Sequence, residues 1–218
     1  MNYKKHLIIS GILFIIVLVL WPVFMMLSQP TGSDEDQLNW VLNHLTLYKI
    51  QFFLAFLIAP SIIYLMLAQL GKQVTTENNM IKFGYIFIAG YAVLVSIAYC
   101  SQIILVPGLL KNGLIDQAKA WYFGSTVSAT FFIDQLGYCF WGIGTIVLFR
   151  QFLNGKGIIR SLGILYLVSA VLSIIAFIGL ILDNKLMKEM TLYSGLMLIP
   201  VAILTIILGY RENRTLNP

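Results

Sequence analysis

The stretch LIISGILFIIVLVLWPVFMMLS, Leu7 to Ser28, decides what kind of molecule this is. It follows Lys4 and Lys5, so it could be the apolar core of a secretion signal. That core is ordinarily about 7–15 residues long and ends near a small-residue cleavage pattern of the A-x-A type. This run is about 22 residues long at the 1.5 Å rise of a helix, enough to cross a ~30 Å hydrocarbon layer, and no such pattern follows it. It is expected to stay in place as the first membrane span.

Five more runs repeat that length, at about 46–69, 83–107, 129–151, 161–182 and 190–210. The composition agrees: 59% of residues are hydrophobic and only 11% charged, where soluble domains carry about 25% charge. Little chain is left between the runs, so the expectation is one all-α integral membrane domain over residues 1–218. It is a six-helix bundle with short interfacial helices in its outer loops.

The net charge of +5 could point to nucleic acid, but its distribution points to topology instead. With the N-terminus in the cytoplasm, the inner segments hold Lys4, Lys5, Lys72, Lys82, Arg150, Lys156, Arg160, Arg211 and Arg214, with Glu77 and Glu212. The outer segments hold Lys49, Lys111, Lys119, Lys185 and Lys188 among Asp34, Glu35, Asp36, Asp116, Asp183 and Glu189. Lys and Arg concentrate on the cytoplasmic side of membrane proteins, so nine against five places both termini inside. The partner this charge serves is the lipid bilayer, with no nucleic acid.

Two outer loops carry helical patterns. SDEDQLNWVLNHL (Ser33–Leu45) opens on Ser33-x-x-Asp36, close to a capping box, and then repeats Leu38, Val41, Leu42 and Leu45. LLKNGLIDQAKAWYF (Leu109–Phe123) aligns Leu110, Leu114, Ala118 and Trp121. Both read as interfacial helices that cover the outer end of the bundle, in preference to a ligand lid. Trp40 and Trp121 join Trp21 in an aromatic belt. The inner connections Gly71–Asn79 and Asn154–Gly157 read as simple turns.

Inside the spans, Pro22, Pro60 and Pro200 each free the carbonyl four residues back and predict kinks. Small-residue stripes at Ala92, Ser96 and Cys100 and at Ser169, Ser173 and Ala176 predict close helix contacts. Cys100 and Cys139 form no CxxC pair and read as packing residues.

The chemistry is narrowed mainly by exclusion. His6 and His44 fall at opposite membrane faces and cannot share a metal or haem. The chain has no HExxH, G-x-S-x-G or Walker A sequence, and one intramembrane aspartate where an aspartyl protease needs two. No cofactor is indicated and the balance is against an enzyme. What remains is Asp134, in FFIDQLGYC (Phe131–Cys139). Counting back 16 residues from the interfacial Arg150 gives about 24 Å of helix, which puts Asp134 in the outer third. Tyr99 and Gln102 on the third span and Lys49 and Gln51 on the second reach a similar height. A carboxylate there must face the bundle, pair, or be protonated, and by depth Lys49 is its partner. Asp134 and Gln135 either tie helices together or cap a span that starts later; or they line an outward-facing pocket for a small polar or cationic solute; or Asp134 acts as a general acid or base. In the pocket reading Tyr138 and Trp141, at i+4 and i+7 from Asp134, supply a cation–π wall.

The segments IDQLGYCFWGIGTIVLFRQF (Ile133–Phe152) and IIRSLGILYLVSAVLSIIAFIGLIL (Ile158–Leu182) resemble the second half of a family of small, uncharacterised bacterial multi-pass membrane proteins. The matching positions are Asp134, Leu136, Gly137, Tyr138, Gly142 and Arg160, over roughly 50 residues. The resemblance implies a multi-pass fold in a bacterial cytoplasmic membrane and no particular activity. The sequence therefore favours solute binding or transport through Asp134, Gln135, Lys49, Gln51, Gln102, Tyr99, Tyr138 and Trp141. The alternative is a structural or regulatory subunit that packs on a membrane partner or on a second copy.

Overall fold

The computed structural model describes residues 3–28, 30–71 and 79–214. The expected turn between Gly71 and Asn79, with Lys72 and Glu77, lies outside the described residues, as do the side chains of Glu212 and Arg214. The described residues are helices and short connections, in an all-α, multi-pass membrane protein with six segments long and apolar enough to cross a bilayer.

In chain order the helices are α1 (Tyr3–Leu27), α2 (Asp34–Asn43), α3 (Leu45–Leu70), α4 (Asn79–Cys100), α5 (Val106–Lys111) and α6 (Ile115–Trp121). They are followed by α7 (Ala129–Phe149), α8 (Ile158–Ile181), α9 (Lys185–Lys188), α10 (Met190–Leu196) and α11 (Leu198–Arg214). The long segments form a closed ring in which each packs on its neighbour in sequence and α11 returns to α1.

That ring is tight at the end holding the chain termini. Gly11 lets α1 and α11 meet: a β-carbon there would lie 3.1 Å from the Ala202 carbonyl oxygen and 2.5 Å from Ile206 Cγ1. Gly142 brings α7 to 2.7 Å from the Ala170 carbonyl oxygen of α8 by the same measure, and Gly144 brings it to 2.9 Å from the Gly84 carbonyl oxygen of α4. Such approaches matter where lipid supplies no hydrophobic drive for helix association. Phe14, Leu65, Leu148, Phe149 and Tyr166 fill the space between, with Phe149 and Tyr166 stacked at 3.8 Å.

The prolines act unequally. Both α1 and α3 run on through Pro22 and Pro60. Before Pro200 the helix breaks, with α10 ending at Leu196, whose carbonyl Pro200 cannot serve, and α11 starting at Leu198. The fourth helix continues past Cys100 through one π turn, Ser101–Leu105, into α5, as the run at 83–107 indicated, and ends only at Lys111. Of the two small-residue stripes, Ser169, Ser173 and Ala176 are fully buried, as expected. Ala92, Ser96 and Cys100 stay half-buried, and α4 packs through Gly84, Ile88, Tyr91 and Val95 instead. Bulk mattered less than the absence of a side chain at Gly84.

At the opposite end, Ser33 caps α2 with both halves of the capping box formed. The hydroxyl and backbone N–H of Ser33 donate to the Asp36 carboxylate at 2.6 and 3.0 Å, which holds that carboxyl below the usual range. The second interfacial segment is two helices, because Asn112 and Gly113 turn the chain, Gly113 with φ +72°. Leu110 and Ala118 are buried as expected, while Leu114 is exposed by that turn. Leu38 and Val41 of α2 are buried, Lys119 pairs with Asp34 at 3.2 Å and the Tyr122 hydroxyl donates to Gln37 at 3.0 Å, so α2 and α6 close that end of the bundle together.

Candidate functional site

Between this cap and the tight end lies a cavity of about 610 Å³. Ligand sites of small molecules commonly fall between about 300 and 1,000 Å³. Its floor is Trp141 and Tyr91 with Ile58, Ile62 and Leu198, and its side walls come from α1, α10 and α11. Aromatic rings crowd it: Tyr91 lies 5.8 Å from Tyr138 and 5.3 Å from Trp141, and Phe123 lies 5.6 Å from Phe52 and 6.1 Å from Tyr99.

Asp134 faces this space. It is 3% exposed and its Oδ1 has no hydrogen-bond partner among the described residues. Tyr99 and Tyr138 lie close enough to interact with its charge. An unpaired buried acceptor costs about 1–3 kcal/mol, and a buried charge more. Gln135 is placed differently: its Oε1 accepts from the Thr191 hydroxyl at 2.8 Å and ties α7 to α10. Gln51 accepts from the Ser28 hydroxyl, closing α1 on α3 at the mouth.

Six of the eight residues singled out from sequence therefore line one cavity: Gln51, Tyr99, Asp134, Gln135, Tyr138 and Trp141. Lys49 and Gln102 do not. Lys49 is half-buried, and among the described residues no ion pair joins it to Asp134. Two residues along a helix is about 200° around it, so with Gln51 on the cavity wall Lys49 turns away.

Gln102 has the right height and another task. It is fully buried, its Oε1 accepts from the Tyr48 hydroxyl at 2.6 Å and from the Phe123 N–H at 3.0 Å. Its Nε2 donates to the Ser101 hydroxyl and the Trp121 carbonyl, both at 2.8 Å, and to Thr130 at 3.2 Å. This straps the α6–α7 connection down and holds Phe123 as the roof of the cavity. Beyond Phe123 and Phe52 lies a smaller space of about 280 Å³, lined in part by Ser28, Gln37, Gln51 and Tyr122. Burial and the nearby Asp34 carboxylate push the Tyr122 phenol up to about 12.

Sequence reasoning missed Phe123, Thr191 and Ser194 of α10. Ser194 is shared between Ser169 at 2.9 Å and Ser173 at 2.7 Å, with the Trp141 indole N–H at 3.4 Å from Ser169. These bonds fix α10 and the cavity floor. The serine stripe on α8 was legible, but its partner is a single serine with no pattern around it. His6 bonds the Tyr64 hydroxyl at 2.7 Å and His44 stacks on Trp40 at 4.4 Å. Among the described residues no group of His, Cys, Asp and Glu could hold a metal ion. Both cysteines are free.

No known protein family, curated protein or solved structure matches the chain.

Proposed function

We propose that this is a non-enzymatic protein of the bacterial cytoplasmic membrane that binds, and passes on, a small solute carrying a cationic or hydrogen-bond-donating group. With both termini in the cytoplasm, as the charge distribution favours, the cavity lies toward the outer face. The observation that carries this reading is Asp134: a buried carboxylate with an unpartnered oxygen on the wall of a cavity lined by aromatic rings. A cation placed there gains both the carboxylate and the faces of Tyr91, Tyr138 and Trp141, each worth up to about 2 kcal/mol when water is excluded.

The test is thermal stabilisation of the purified protein by benzylammonium and tetramethylammonium, with benzyl alcohol as neutral control. The cations should raise the melting midpoint by several degrees at millimolar concentration, and Asp134→Asn should remove the effect while leaving a monodisperse protein. Equal stabilisation by benzyl alcohol, or an unchanged response in the variant, would refute the reading.

A further inference from the structure

The walls of the cavity say more about its ligand than its carboxylate does. At Gly11 α1 and α11 touch. Toward the α2–α6 end they part: α1 continues through Pro22, α11 gives way at Met197 to α10, and α10 packs chiefly on α8 rather than on α1. The result is a V between α1 and α10 whose inner faces, Leu18, Met25, Leu192 and Leu196, also line the cavity. Leu192 is 60% and Leu196 45% exposed although both belong to its wall, so the cavity opens sideways there, where the bilayer lies. At Gly195 a β-carbon would find nothing within 4 Å. Below Asp134 the floor at Trp141 is seven residues deeper, about 10 Å of helix, and apart from the aromatic rings it is aliphatic.

We infer that the ligand is a single-chain amphiphile with a protonated amine head, which enters from the bilayer through the V between α1 and α10, sets its head at Asp134 and its chain on the floor formed by Trp141, Ile62 and Leu198. This rests on the reading that Asp134 receives a cation, and it adds the apolar chain and the route. A water-borne cation has the other approach, through the small polar space above Phe123. Below the carboxylate such a solute finds only the ring faces already counted, whereas on Ile58, Ile62 and Leu198 a chain buries about 0.8 kcal/mol per methylene. Lys185, Lys188 and Glu189 also line the cavity, at its α9–α10 edge, with Lys188 paired to Asp183 at 2.5 Å. At the depth of Asp134 itself the facing charge is a carboxylate, which suits an amine head and repels a carboxylate or phosphate.

The chain has four tryptophans, so a variant with Trp21, Trp40 and Trp121 changed to Phe keeps only Trp141, at the cavity floor. Reconstituted in phosphatidylcholine nanodiscs, it is titrated with 8-bromooctylamine, whose terminal bromine quenches a tryptophan it touches, and with 3-bromopropylamine. The expected result is quenching by the long amine at a concentration at least tenfold lower than by the short one. Asp134→Asn should weaken it at least tenfold, and Gly195→Phe or Leu192→Phe, which narrow the V, at least fivefold. Quenching by both amines at one concentration, still dependent on Asp134, overturns the amphiphile and leaves the cation site standing. Quenching by the long amine that ignores Asp134→Asn overturns the cation site and with it this inference. Quenching of Trp141 by brominated phosphatidylcholine alone shows a cavity filled by lipid chains and also overturns it.

Discussion

The two ends of this bundle are built by opposite rules. At the terminal end, helices α1 and α11, α4 and α7, and α7 and α8 touch backbone to backbone through Gly11, Gly144 and Gly142. At the capped end α1 and α10 stand apart while α4 and α7 stay close at Gly137 and Val95, and polar side chains hold what the backbones do not: Gln102 straps the roof, Gln135 meets Thr191, and Ser194 meets Ser169 and Ser173. Close packing without a cavity gives rigidity, whereas directed hydrogen bonds let helices be fixed at a distance and leave room between them.

The sharpest way to break this contrast is to put the same kind of change at both ends. Gly142→Val drives methyl groups into the Ala170 carbonyl and should cost more than about 3 kcal/mol, read as a large fall in the melting midpoint or loss of the folded protein. Gly195→Ala meets open space and should be neutral or stabilise by up to about 1 kcal/mol through helix propensity. Equal damage from both would mean the V is not open.

A smaller effect separates two buried glutamines. Gln102→Leu strands the Tyr48 hydroxyl and the Phe123 N–H, while the Trp121 carbonyl keeps Thr130, and should cost about 2–3 kcal/mol. Gln69, whose Oε1 has no hydrogen-bond partner among the described residues and whose Nε2 donates to Thr205, should tolerate leucine with about 1 kcal/mol of loss or less. Thermal denaturation of the two variants in one detergent decides it.

Asp134→Asn should move stability and function in opposite directions: the ligand-free protein gains about 1 kcal/mol as the charge leaves its apolar surroundings, while amine binding is lost. A destabilised variant would make Asp134 a helix tie rather than a binding group.

The smallest change concerns the cap. Ser33→Ala should cost about 0.5–1 kcal/mol, confined to faster amide exchange in α2. Because Asp36 titrates lower folded than unfolded, the support it gives α2 is complete above the ordinary carboxyl range near pH 4 and fades as pH falls through its lowered folded value. Exchange in α2 should therefore quicken in acid beyond its intrinsic trend, and Asp36→Asn should erase that dependence.

Height along a helix was legible in the sequence, and direction around it was not. The spans followed from run length because each residue adds 1.5 Å, and the same count set Asp134, Gln51, Tyr99 and Gln102 near one level. Which of them meet depends on azimuth, which for Gln102 is set within a π turn that inserts part of an extra residue. Lys49 was at the right depth and on the wrong side. The interfacial patterns were legible as helices, and only the Asn112–Gly113 turn divided one of them in two. Phe123 had no signal of its own, since a loop aromatic becomes a roof only when Gln102 holds its backbone.

The segment from Ala129 to Asn154 is the least apolar of the six spans, because it carries Asp134, Gln135 and three glycines where its neighbours carry leucine and isoleucine. A carboxylate within a span opposes its partition from the translocon into lipid, by about 3 kcal/mol at mid-membrane and less nearer the interface. The glycine face that lets α7 nest so closely on α4 then has a role during synthesis as well. α7 should leave the translocon alongside α4 rather than alone, so the residues that make the site costly to insert travel on the helix best fitted to an escort.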